Sequence, residues 1–428
     1  MVKYLILFLT IMTTAFGFNY HGCALAPDNL NGWVVCLDTA LIFHTSNGGV
    51  TWEHQPVSDS ALVFFDVTCT DELLAWTCGN LGQIYHTSNG GLEWVQQCSG
   101  LSKYATRIEF IDTANGWAAC GNGIVGRTTT GGVSPGGGIP GWEQNMTPWY
   151  AAELYGISFV NQSDGWAVAG WPDTLHPGQG LILHSSDGGI MWDSLYQVSG
   201  YEDFLDVYFL NLLDGIVVGG DDQTHAPIIL KTTNGGQNWN PITAPVNAYY
   251  LRAVDFVDNE GWIVGKHGTI IHTTDYGNTW TFQSNPAEST LFDVDFTDNL
   301  HGIACGYNII LTTTDGGQNW LGIQEDNAYK SPQAAELAVY PNPCRQMTEI
   351  RCQLPEARSQ MQEMALKIYD CSGRAIKSFN LASNVLPFVS TVIWNGADDN
   401  GRRVPQGIYF VRLNASNCQT SKKVILLE

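Results

Sequence analysis

The chain has 428 residues, of which only 14% are charged, yet its formal net charge is −22. A polyanion cannot neutralise phosphates, so nucleic acid and anionic membrane surfaces are excluded as partners. Its 46 Gly and 15 Trp, with 44% apolar residues, point to a turn-rich fold with a large core.

Residues 1–17 carry Lys3, an apolar run from Leu5 to Met12 and a small-residue end at Ala15-Phe16-Gly17, the pattern of a secretory signal peptide. The run is too short to span a bilayer, and no other stretch could. Cys23 lacks a lipobox before it, so no lipid anchor is expected.

From Phe18 to about residue 325 one unit recurs. Leu251 to Trp280 shows it best: an alternating strand, a turn, Gly261-Trp262-Ile263-Val264-Gly265, a second turn, Thr269 to Thr273, a tight Asp275-Tyr276-Gly277 turn, and Trp280 opening a fourth strand. This predicts a four-stranded antiparallel meander. The turn-plus-Trp element recurs with Asn47/Trp52, Asn89/Trp94, Asp187/Trp192, Asn234/Trp239, Asp275/Trp280 and Asp315/Trp320, and a degenerate copy runs from Thr128 to Trp142. Trp-to-Trp intervals of 42, 48, 50, 47, 41 and 40 residues are the period of a propeller blade, and seven copies predict a seven-bladed β-propeller. The Asp or Asn is expected to bond backbone amides, the Gly to supply positive φ, and the Trp to be buried between blades. A second marker is Gly-Trp or Gly-Ile at 32, 116, 165, 215, 261 and 302, replaced by Ala75-Trp76 in the second repeat.

Loops lengthen on neighbouring blades 4 and 5, at Trp171–Gly180 and Asp221–Pro227, between second and third strands. A rigid scaffold with variable loops makes that face the candidate binding surface, with Trp171, Asp173, His176, Asp221, Asp222 and His225 as its polar and aromatic residues. Their spacing matches no metal motif, so no metal or cofactor is expected. His44, His86, His184 and His272 recur just before the boxes, which predicts a packing role. Eleven cysteines allow disulfides in an exported chain, with Cys23/Cys36 and Cys69/Cys78 as pairs bracketing a first turn; buried free thiols fit as well.

Residues 326–336 read as a linker. Across it the balance changes from −25 in residues 1–332 to +3 in residues 333–428. Residues 337–428 predict a small Ig-like β-sandwich, with Tyr340-Pro341-Asn342-Pro343, Trp394-Asn395-Gly396, Asp398 to Gly401 as a tight hairpin, Pro405 to Tyr409 and the terminal Lys422-Lys423-Val424-Ile425-Leu426.

The Ser/Thr-x-Asp/Asn-x-Gly-x-x-Trp element is the Asp-box, or bacterial neuraminidase repeat. The fuller repeat resembles the propeller of the photosystem II stability and assembly factor family. The tail is similar to the C-terminal sorting domain of type IX secretion and to the Ig-like domain of flagellar hook capping proteins. That resemblance implies export through the periplasm to the medium or a bacterial cell surface, read by a secretion translocon. A sialidase would need an arginine triad. The propeller holds only Arg107, Arg127 and Arg252, the first and last at similar places in their first strands, so no catalytic residue is assigned. The expected function is a non-catalytic binding scaffold for an extracellular glycan or envelope protein. The alternatives are a sialidase-like or xyloglucanase-like glycoside hydrolase and a photosystem II assembly-factor-like protein.

Overall fold

The computed structural model describes residues 18–323 except 38–39, 56, 58–62, 137, 171–179, 199, 201 and 222, and residues 336–427 except 341–346, 354–363, 371–373, 382–388, 400 and 416–417. The expected signal segment lies outside them. The chain divides into two compact units, Met1–Gln324 and Glu325–Glu428.

In the first unit the described residues form seven four-stranded antiparallel sheets, one per repeat, each pairing four consecutive strands in chain order. Sheet 1 runs Tyr20–Leu25, Gly32–Cys36, Ile42–Thr45, Glu53–Gln55. The first strand of each sheet packs beside the first strand of the next, and that of sheet 7, Leu291–Phe296, packs beside that of sheet 1. The result is a β-propeller in which sheets 1 and 7 each keep their own four strands, so closure depends on side chains and on one isolated backbone bridge, Asn19–Tyr307.

The boxes hold their turns as the residue types require. Thr273 Oγ1 bonds Asp275 at 2.7 Å and accepts the Gly277 amide at 3.1 Å, and Asp275 Oδ1 accepts the Thr279 amide at 2.9 Å. The equivalent side chains of Asn47, Asn89, Asp187, Asn234 and Asp315 each accept the amide four residues on. Trp94, Trp192, Trp239, Trp280 and Trp320 are buried and Trp52 half-buried.

The marker Trp of the second strand is the deeper element. Trp262 of sheet 6 is fully buried and stacks at 3.6 Å on Phe296 of sheet 7, while the box Trp320 meets the same ring edge-on at 5.7 Å. Trp76–Phe110–Trp142, Trp117–Phe159–Trp192 and Trp166–Phe209–Trp239 repeat this triplet at other seams. His44, His86, His184 and His272 each lie over the marker Trp of their own sheet, at 4.7–5.0 Å, which is the expected packing role.

The same Phe explains the marker glycine. A Cβ on Gly165, Gly261 or Gly302 would stand 2.4 Å from the ring of Phe159, Phe256 or Phe296. In sheet 2 the ring is replaced by Cys69, which pairs directly with Ala75. The smaller partner leaves room for the methyl group. Gly261→Ala is therefore expected to cost about 1–3 kcal/mol through overpacking. In a Phe256→Cys background the same change is expected to cost almost nothing. Denaturant melts of the four chains check this, and a Gly261→Ala chain that melts with the wild type would remove the clash from the account.

The second unit has a three-stranded sheet (Glu336–Tyr340, Thr348–Gln353, Val389–Trp394) and a four-stranded sheet ordered Ala375–Leu381, Met364–Asp370, Gly407–Ala415, Cys418–Leu426. Ile350, Leu366, Ile368, Trp394, Tyr409 and Val411 belong to one core, with Trp394 and Tyr409 edge-on at 5.1 Å. Asp398 to Gly401 is the expected hairpin: Gly401 N–H donates to Asp398 O at 3.0 Å and Arg402 N–H to Asp398 Oδ1 at 2.8 Å.

Candidate functional site

The first strands surround a central channel, and each is an edge strand with amides its own sheet cannot pair. Carboxylates of the preceding sheet take them. Asp66 accepts the Ile108 amide at 2.8 Å, Glu109 that of Phe159 at 2.9 Å, Asp206 that of Val254 at 3.0 Å and Asp255 that of Phe296 at 2.7 Å. Asp293 and Asp295 reach from sheet 7 to the amides of Cys23 (2.9 Å) and Leu25 (2.7 Å), which closes the ring. Ser158 Oγ makes the equivalent link from sheet 4 to sheet 5 by accepting the Phe209 amide at 3.1 Å, and the Tyr208 hydroxyl joins sheet 5 to sheet 6 by donating to Phe256 O at 2.9 Å. All six carboxylates line a cavity of about 170 Å³.

Arg107 crosses this lumen. Its Nη1 bonds Asp293 at 2.7 Å, its Nη2 lies 3.3 Å from Asp206 and its Nε 3.7 Å from Asp66, so residues of sheets 2, 5 and 7 converge on one cation. Six acids against one base cannot all ionise cheaply. Burial pushes Asp66 and Glu109 up to about 8, Asp295 to about 7 and Asp206 to about 6, with Arg107 pulling each back. Burial also raises Asp255, beside Asp295.

At the start of the first strands, on the loop face, the character changes from acidic to aromatic and cationic. Tyr104 packs near Phe65 (6.0 Å), Phe65 near His21 (5.9 Å), and His21 stacks on Phe292 (5.2 Å). The Arg252 guanidinium lies 5.6 Å from the Phe292 centroid and 5.4 Å from that of Tyr250, and Lys266 Nζ lies 4.4 Å over Tyr250. Lys266 also donates to His225 Nδ1 at 3.3 Å. The arc runs through sheets 3, 2, 1, 7, 6 and the sheet 5 loop. His21, Phe65, Tyr104 and Phe292 are half-buried and Tyr250 is buried. Tyr104 hydrogen-bonds Glu153, which fixes one end of the arc. Burial holds the His21 imidazole below its ordinary range, so at neutral pH it is an aromatic plate rather than a cation.

Of the loop residues singled out from the sequence, Trp171, Asp173, His176 and Asp222 lie outside the described residues. Asp221 caps its own turn, accepting the amides of Gln223 (2.9 Å) and Thr224 (2.6 Å). His225 reaches the arc, and its carbonyl accepts the Tyr250 amide at 3.1 Å. Among the described residues no three His, Cys, Asp or Glu side chains are grouped as metal ligands. Arg107 and Arg252 do not occupy equivalent places. The bulge in each first strand puts Arg252 at the irregular residue before Ala253, whereas Arg107 pairs regularly with Ala119. One residue of register sends Arg107 into the lumen and Arg252 to its mouth. Sequence reasoning missed the arc. Aligned at the bulge, the first strands place His21, Phe65, Thr106, Tyr155, Leu205, Arg252 and Phe292 in one column, which holds three of the arc's rings and its guanidinium.

Residues 194–284 match the family model described as photosynthesis system II assembly factor YCF48, and residues 338–427 match the secretion system C-terminal sorting domain. The chain is a BNR-repeat propeller with a type IX secretion sorting tail, and that tail directs it to the cell surface or extracellular space. It is 37% identical over 71 residues to the chloroplast photosystem II stability/assembly factor HCF136 of Oryza sativa subsp. japonica, 14% of this chain and 17% of the relative. It is 35% identical over 80 residues to the photosystem II assembly lipoprotein Ycf48 of Synechococcus sp. (strain CC9902), 18% of this chain and 22% of the relative. The chain thus matches about a fifth of the length of these curated relatives. Among solved structures, YCF48 bound to D1 peptide aligns with TM-score 0.55 at 18% identity, over 71% of this chain and 95% of that one. YCF48 from Cyanidioschyzon merolae aligns with TM-score 0.53 at 15% identity, over 71% and 97%. At these identities the likeness is one of fold. Among the described residues no helix is long and apolar enough to cross a membrane.

Proposed function

We propose that this secreted propeller is a non-catalytic binding scaffold, and that it captures an extended peptide segment of an extracellular or envelope protein on its loop face. The observation that carries the reading is the arc at the channel mouth. It places aromatic faces beside Arg252 and Lys266 in a propeller otherwise dominated by acid, which suits apolar side chains flanking a carboxylate. The YCF48 neighbour bound to D1 peptide supports a peptide ligand for this fold. The channel supports the non-catalytic part: its carboxylates are engaged by backbone amides and by Arg107, which leaves them holding the ring together. Gly170 and Leu181, which flank the first of the two long loops, and His225 of the second lie on this face, so both loops would border the ligand.

The test is a screen of the purified secreted chain against immobilised peptides of envelope proteins and against glycans. A peptide hit is expected to weaken about tenfold or more in Lys266→Ala and in Arg252→Ala, without a matching change in melting temperature. Equal binding by both variants, glycan capture alone, or turnover of a sialoside or β-glucan that one carboxylate substitution abolishes, would overturn the reading.

A further inference from the structure

Sheets 7 and 1 meet along one buried seam, and two thiols meet within it. The Cys23 amide donates to Asp293 at 2.9 Å, and its Sγ lies 3.9 Å from the carbonyl of Ile303. Cys305 stands directly across the sheet 7 ladder from Asp293. Both are free thiols in the structure and share one buried cluster with Tyr20, Leu25, Val34 and Ile310. The pairs bracketing a first turn are placed less well. Cys23 stands opposite Val34 and Cys36 opposite Tyr20, while Cys69 faces Ala75 and Cys78 faces Asp66.

We propose that Cys23 and Cys305 form a disulfide in the secreted protein, joining the first and last sheets covalently and locking the ring. Among the described residues the only backbone pairing across this seam is the bridge Asn19–Tyr307, where Asn308 N–H donates to Phe18 O at 2.8 Å, so the ring otherwise closes on side-chain hydrogen bonds and packing. Forming the bond removes two protons and two electrons from the thiols. The electron acceptor is a disulfide carried by a thiol–disulfide exchange protein of the export compartment. One thiolate attacks that disulfide and displaces one of its sulfurs. The second thiolate then displaces the other, leaving the exchange protein as a dithiol. Both thiols are nearly inaccessible, and burial raises both above their ordinary range, so pairing belongs to the stage before sheet 7 docks on sheet 1. The bond closes a very long loop, the case in which a cross-link restricts the unfolded chain most.

The experiment uses the secreted full chain, unfolded in denaturant without reductant, alkylated and mapped by mass spectrometry. A Cys23–Cys305 cross-linked peptide is the expected result. Both residues alkylated, or either one linked to Cys36 or to another cysteine, overturns the proposal. The mapping needs no variant, so misfolding cannot obscure it. As a second reading, dithiothreitol is expected to lower the propeller's melting temperature by roughly 5–15 °C in the wild type and to leave Cys23→Ala/Cys305→Ala unmoved. A wild-type melt that reductant does not shift would also count against the bond.

Discussion

Trp262→Ala is expected to cost the propeller about 3–5 kcal/mol, the range for removing a large aromatic from a packed core. The ring is fully buried, stacks on Phe296 of the next sheet and carries His272 on its own sheet. Its indole N–H donates to Gly316 O at 3.3 Å, the box carbonyl that also accepts Gln283 Nε2 at 2.7 Å. Losing the ring therefore opens a cavity between two sheets while leaving that carbonyl satisfied, so the cost is one of packing. Phe282→Ala removes a half-exposed ring from an outer strand and is expected to change stability by no more than about 0.5 kcal/mol. Denaturant melts followed by tryptophan fluorescence compare the two. A Trp262→Ala loss below about 1 kcal/mol would show that the seams do not depend on the marker Trp.

Arg107→Met is expected to cost about 3 kcal/mol at pH 8 and much less at pH 5. At high pH it leaves Asp66, Asp206 and Asp293 facing one another across the lumen without a cation, the situation in which breaking a buried ion pair is most destabilising. The Arg107 side chain is 24% exposed, which places the cost at the lower end of the buried-pair range. The wild-type chain has a pH dependence of its own. Asp66, Glu109, Asp206 and Asp295 have folded pKa values raised by burial to between about 6 and about 8. Between the ordinary carboxylate range and those values the native state binds more protons than the unfolded chain, so stability is greatest at the acid end and falls as pH rises to 8. Each such proton contributes a slope of about 1.4 kcal/mol per pH unit. Melts of both chains from pH 5 to 8.5 provide the measurement. A wild-type stability that is flat or rising over that span, or a variant whose deficit does not grow with pH, would contradict the role given to the channel.

The repeat period and the Gly/Asn/Asp turns by themselves determined the sheet-by-sheet architecture, because turn chemistry and alternating strands are local properties written at each position. The sorting tail was legible through its turn motifs, although its sheets pair strands far apart in the chain, Thr348 with Trp394 and Ala365 with Asn414. The marker pair Gly-Trp could be seen but not explained. Its reason is a Phe contributed by the first strand of its own sheet and another by the next sheet, and only packing brings them together. The acidic excess was read only as excluding nucleic acid and anionic membrane surfaces. In the fold six of these carboxylates turn inward, where Asp and Glu take the unpaired amides of neighbouring edge strands, a use that needs two sheets to exist. The functional surface was sought in the longest loops, yet of those residues His225 alone is seen to meet the aromatic arc. The arc and the Arg107 clamp depend on a bulge that shifts each first strand by one residue. Because side chains alternate faces with every residue along a strand, that single shift decides which of two arginines enters the lumen and which guards its mouth, and no linear spacing records it.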